Sequence, residues 1–65
     1  MPKLKYDAEV DILFIDFRDI VKGPIKRIIS DPFEENQDFF LEYDEETKVL
    51  LGVEIVNASH YFNVE

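Results

Sequence analysis

The sequence predicts a mainly β, or small α+β, domain: a single antiparallel sheet of about five strands that includes two hairpins. Three observations predict it. Apolar residues recur with period two along much of the chain, those stretches are rich in β-branched and aromatic side chains, and short turn-forming clusters separate them. A chain of 65 residues has room for one core, so residues 1–65 are read as a single domain.

The elements follow in order. Lys3-Leu4-Lys5-Tyr6-Asp7 alternates, and Asp11 to Arg18 places Leu13, Ile15 and Phe17 on one face, with residues 7–10 as the short connection of a first hairpin. Gly23-Pro24 is the strongest turn signal. Residues 25–30 are expected to form a third strand that Asp31-Pro32 stops, and residues 31–38, polar apart from Phe33, a loop or single helical turn. Phe39, Leu41 and Tyr43 then alternate with acidic residues, and after a turn at 44–48 Val49, Leu51, Val53 and Ile55 form an inward set. Residues 39–56 are therefore a second hairpin, with Leu41 and Val53 expected to be deeply buried. Gly52 inside the last strand marks a bulge or a place where a neighbouring side chain needs space. The tail from Asn57 can start a short helical turn capped by Asn57 or Ser59, or fold over the sheet.

Composition narrows the functional classes. With no cysteine and a single histidine, His60, disulfides and thiolate sites are excluded and a paired-imidazole zinc site is not expected. Six Phe and three Tyr supply the apolar bulk instead. The N-terminal stretch is charged, with no apolar segment long enough for a signal peptide or membrane span, so a cytoplasmic protein is expected and the Asn57-Ala58-Ser59 triplet is a chance match to the glycosylation pattern. Formal charge is −8. It is uneven: residues 31–65 carry ten acids against Lys48 alone, whereas residues 1–30 nearly balance. Such a field disfavours nucleic acid and suits a basic protein, although an acidic surface also simply keeps a small protein soluble.

Three stretches carry a resemblance. Tyr6-Asp7-Ala8-Glu9-Val10-Asp11-Ile12-Leu13-Phe14-Ile15 opens it; Phe40 to Glu46 and Val49-Leu50-Leu51-Gly52-Val53-Glu54-Ile55-Val56-Asn57-Ala58-Ser59 close it. Together they resemble the YuzE-like domains of unknown function, small prokaryotic proteins, over about residues 6–59. The loop before Phe39 is longer and more acidic than in that pattern, and Glu46-Thr47 stands where an Asp-Gly turn is usual. The resemblance implies a compact β-sheet domain with no established activity, and antitoxin-type partnership with small basic toxins in some relatives. It supplies no catalytic residue.

No residue set carries a specific chemical signature. Asp7, Glu9 and Asp11, like Asp44, Glu45 and Glu46, lack the ligand spacing of a calcium loop and read as solvated turns. Ser59 and His60 are neighbours in sequence and diverge in either a strand or a helix, so they make no nucleophile–base pair, and two glycines form no phosphate loop. Lys22, Lys26 and Arg27, the one basic cluster, are expected to pair with carboxylates of this chain or of a second copy. No cofactor is expected.

The leading expectation is a non-enzymatic interaction module, antitoxin-like, whose acidic loops (Glu34, Glu35, Glu45, Glu46) meet a small basic protein. The strands are also apolar on their second face, where Ile12, Phe14, Phe40, Leu50 and Val56 are candidates for a dimer interface. Two alternatives stand beside it: a small-molecule-binding or catalytic protein with a pocket at an oligomer interface, and a purely structural homo-oligomer.

Overall fold

The computed structural model, described over residues 1–64, is one open antiparallel sheet of five strands. They are β1 (Lys3–Asp7), β2 (Ile12–Asp16), β3 (Ile28–Phe33), β4 (Asn36–Asp44) and β5 (Leu50–Val56), in the spatial order β1-β2-β5-β4-β3. Both expected hairpins are present, and β2 joins them by pairing with β5. The alternating runs at 39–43 and 49–55 thus fall almost wholly on β4 and β5, which have neighbours on both sides and divide their side chains between two faces. Two short 3-10 turns, Arg18–Ile20 and Ala58–His60, complete the described chain.

The third strand differs from expectation in extent. It begins at Ile28 and runs through Pro32 to Phe33, and residues 36–38 belong to β4, so the loop foreseen at 31–38 shrinks to the two-residue turn Glu34–Glu35. Position in the sheet explains this. Because β3 is an edge strand, a proline there costs no ladder hydrogen bond when its nitrogen faces outward. Glu34 takes a left-handed φ of 55°, as the first residue of such a tight hairpin turn must.

Register sorts the side chains into two faces. On the primary face, Tyr6, Leu13, Ile55 and Phe39 lie side by side across four strands, and Leu4, Ile15, Val53 and Leu41 form the next row. The second face carries Lys5, Phe14, Glu54, Phe40 and Pro32 in one row, with Asp16, Gly52 and Glu42 in the next.

The core is smaller than the alternation suggests. Among the described residues Leu51, Ile55 and Ala58 are the buried apolar ones, while Leu41 and Val53 are only half-buried. The reason is architectural: a single layer covers its apolar face only where other segments fold onto it. The tail does so at one end, where Ala58 is buried and the Tyr61 ring meets Phe39 edge-on with centroids 4.9 Å apart. Residues 17–27 run along the other end, tied by Phe17 N–H to the Leu51 carbonyl (2.8 Å) and by Glu45 N–H to the Arg27 carbonyl (2.8 Å). Leu41 and Val53 lie between.

Gly52 adjoins a bulge, and what it makes room for is the backbone of β2 rather than a neighbouring side chain. Glu42 pairs with Gly52 but Tyr43 pairs with Leu50, leaving Leu51 as the extra residue of β5. That extra residue takes Leu50 out of the second-face row and sets it opposite Tyr43, near Phe17, Ile20 and Val49. A β-carbon at position 52 would stand 2.9 Å from the Ile15 carbonyl oxygen, a backbone atom that moves only with the β2–β5 ladder. Gly52→Ala is accordingly expected to cost about 1–3 kcal/mol, as forced overpacking does. Chemical denaturation measures it, and an unchanged midpoint would show that the ladder gives way freely.

Candidate interaction surface

Site geometry starts from the carboxylates, because several of them do structural work. Asp11 sits in the β1–β2 turn with a left-handed φ of 54°. It accepts hydrogen bonds from the Tyr6 hydroxyl (2.6 Å), the Ser59 hydroxyl (2.6 Å) and the Ser59 amide (3.1 Å). Ser59, and secondarily Tyr6, hold its carboxyl below the usual range. Asp7 accepts from the Glu9 amide (3.0 Å), a local turn of the kind aspartate favours. The first turn is therefore a clasp for the tail, and the Ser59 hydroxyl is committed to it.

Asp44 overturns the expectation of an exposed, solvated turn. It is 1% exposed, at the end of β4, and its carboxylate bridges two segments. One oxygen accepts from the amides of Glu46 (2.9 Å) and Thr47 (3.2 Å), and the other from the amide of Lys26 (2.5 Å). These amides, that of Lys26 foremost, pull its pKa below the ordinary carboxylate value against the opposing effect of burial. The carboxylate thus joins the β4–β5 turn to the segment between β2 and β3.

All three tyrosines donate to an aspartate: Tyr6 to Asp11, Tyr43 to Asp31 (2.7 Å) and Tyr61 to Asp38 (2.5 Å). Each phenol is raised above its ordinary value, chiefly by that hydrogen bond. Sequence reading missed these pairs, since their partners stand 5, 12 and 23 residues away.

The predicted partner-binding acids do not gather. Glu34 and Glu35 form the β3–β4 turn and Glu45 and Glu46 the β4–β5 turn, at opposite ends of the nine-residue β4, about 30 Å apart at strand rise. Glu45 is also paired with Arg27 at 3.3 Å, so one of the three members of the basic cluster meets a carboxylate of this chain. No family model, curated protein or solved structure matches this chain. The arrangement of its own surfaces therefore carries the functional argument.

The dimer candidates divide. Ile12, Phe14, Phe40 and Val56 share the second face, but Glu54 stands directly between Phe14 and Phe40, and Leu50 has left the row. Beside them a shallow depression of about 260 Å³ opens over Gly52, between Lys5, Phe14, Arg18, Glu42 and Glu54. Arg18 and Glu42 are ion-paired to each other along it. Lys3 pairs with Asp19 at 3.2 Å. The second face is thus a mixed-charge face dotted with apolar groups.

The primary face is different. Its row Leu4–Ile15–Val53–Leu41 carries no charge across four strands and ends at Asp31 on β3, and each of the four keeps some exposure, up to 70% at Leu4. Among the described residues no group of acids and histidines is placed to hold a metal ion, and no helix is long and apolar enough to cross a membrane.

Proposed function

We propose that this chain is a non-enzymatic protein-interaction module of a prokaryotic cytoplasm, akin to the YuzE-like domains it resembles. The observation that carries the proposal is the uncharged, partly exposed row Leu4–Ile15–Val53–Leu41 on a sheet one layer thick. A continuous apolar surface of this kind gains free energy when another molecule covers it, and it offers no polar group with which to position a substrate. The hydroxyl that a nucleophilic mechanism would use, that of Ser59, is held by Asp11 at 2.6 Å.

An antitoxin-like role fits within this proposal. The charge of −8 attracts a small basic protein, and the Glu34–Glu35 turn, exposed at the end of a hairpin, is the acidic element best placed to meet it first. Tagged chain purified from its native host at low salt is expected to retain a basic partner that Leu41→Lys, on the apolar row, releases. Glu34→Lys with Glu35→Lys should slow association and reduce its sensitivity to salt. A chain that recovers no protein and does not self-associate would refute the module.

A further inference from the structure

Building on the interaction-module proposal, we infer that the primary face is covered by a second copy of this chain, two sheets packing face to face about Leu4, Ile15, Val53 and Leu41. Area is the first argument. The chain exposes 4939 Å², whereas a compact monomer of 7.7 kDa exposes about 4300 Å² by the scaling of folded proteins. The excess of about 600 Å² approaches the roughly 800 Å² that each partner of a stable complex buries. The Cα trace measures 34 × 27 × 16 Å, a slab broad enough to supply such an area from one side.

Chemistry places the contact on this face rather than elsewhere. Two copies each carrying −8 repel one another, so the centre of their contact must be free of acids. The middle of the primary-face row meets that condition, its one acid, Asp31, standing at the β3 edge, while the second face sets Glu54 at its middle, with Asp16 and Glu42 in the adjacent row. The sheet edges are guarded: β3 carries Pro32 and β1 carries Lys3 and Lys5, devices that oppose strand addition. Tyr6 and Tyr43 flank the row on the same face, and their hydroxyls are already bonded to Asp11 and Asp31. They can pack at the rim of a contact without stranding a polar group. A twofold axis near Ile15 and Val53 would bring the same row against itself in each copy, in the gap left between the tail and residues 17–27.

The two occupants, a second copy and a basic protein, respond oppositely to salt. Screening weakens attraction to a basic partner but relieves repulsion between acidic copies, so the self-association inferred here should tighten as salt rises. Sedimentation equilibrium on the purified full chain, from about 10 to 200 µM, is expected to show twice the monomer mass. Leu4→Glu alters a side chain 70% exposed in the monomer, so circular dichroism should show the fold retained while the dissociation constant rises about tenfold or more. Phe14→Glu, on the second face, should leave it within about twofold. A monomer at every concentration, a dimer indifferent to Leu4→Glu, equal loss in both variants, or weakening by added salt would each overturn the inference. A monomer that nevertheless holds a host protein through Leu41 would overturn self-association alone, whereas a monomer that holds none would remove the interaction module with it.

Discussion

Leu51→Ala and Ile55→Ala are each expected to destabilise the fold by about 2–4 kcal/mol, the range for deleting a buried aliphatic side chain. Leu51 is 1% exposed and Ile55 3%, and both lie on the strand that pairs with β2 on one side and β4 on the other. A chain of this length has a total stability of only about 3–10 kcal/mol, so either change should lower Tm by roughly 10–25 °C. Leu41→Ala and Val53→Ala, at half-buried positions, should cost less in a dilute monomer. If copies pair through this face as inferred above, their penalty should grow with protein concentration, whereas the Leu51 penalty should not. Thermal melts at two concentrations separate the pairs. Equal, concentration-independent losses at all four positions would mean that the monomer core extends across the whole primary face.

How far the sequence revealed the fold depended on where each strand sits. Period-two alternation in 39–43 and 49–55 was legible because β4 and β5 have neighbours on both sides and must divide their side chains between two faces. The first hairpin was legible for the same reason on the β2 side. The edge strand β3 was misplaced, since Pro32 reads as a stop and only its position at the sheet margin makes it compatible with strand. Depth of burial was legible less well than pairing. Leu41 and Val53 carry the same alternation signal as Ile55, and what separates them is whether a distant segment folds over them, which no local pattern records.

The candidate surface shows the same division. That the strands are apolar on more than one side was visible, but the bulge at Leu51 that displaces Leu50, and the location of Glu54 between Phe14 and Phe40, depend on register. The acidic residues were visible as a sum and not as an arrangement. Hairpin topology puts successive turns at opposite ends of their shared strand, so Glu34–Glu35 and Glu45–Glu46 are separated by the length of β4. Asp44 had one readable local signal: an aspartate two and three residues before the amides of Glu46 and Thr47 forms a familiar turn. Its third partner, the Lys26 amide, lies 18 residues earlier, and that bond turns a turn-forming acid into a buried tie.

Asp44→Asn should expose what that tie contributes, because the substitution removes charge while keeping shape. An asparagine can direct its one carbonyl oxygen at the Glu46 and Thr47 amides, as Asp44 does with one of its two oxygens. Its amide nitrogen must then face the Lys26 N–H, setting donor against donor where the wild type has a 2.5 Å hydrogen bond. The segment between β2 and β3 should lose its anchor and Tm should fall by about 10 °C near neutral pH. The pH dependence has a definite sign. The folded pKa of Asp44 is lowered by these amides, so the unfolded chain binds the proton first as pH falls. Its stabilisation is fully present well above the unfolded carboxylate value of about 3.9 and is lost as pH falls past that value and through the folded pKa. Asp11, also lowered, contributes in the same direction but is present in both proteins. The wild-type and Asp44→Asn melting curves should therefore stand apart at pH 7 and converge in acid. A gap that stayed constant from pH 7 to about pH 2 would show that the difference does not depend on the ionisation of Asp44.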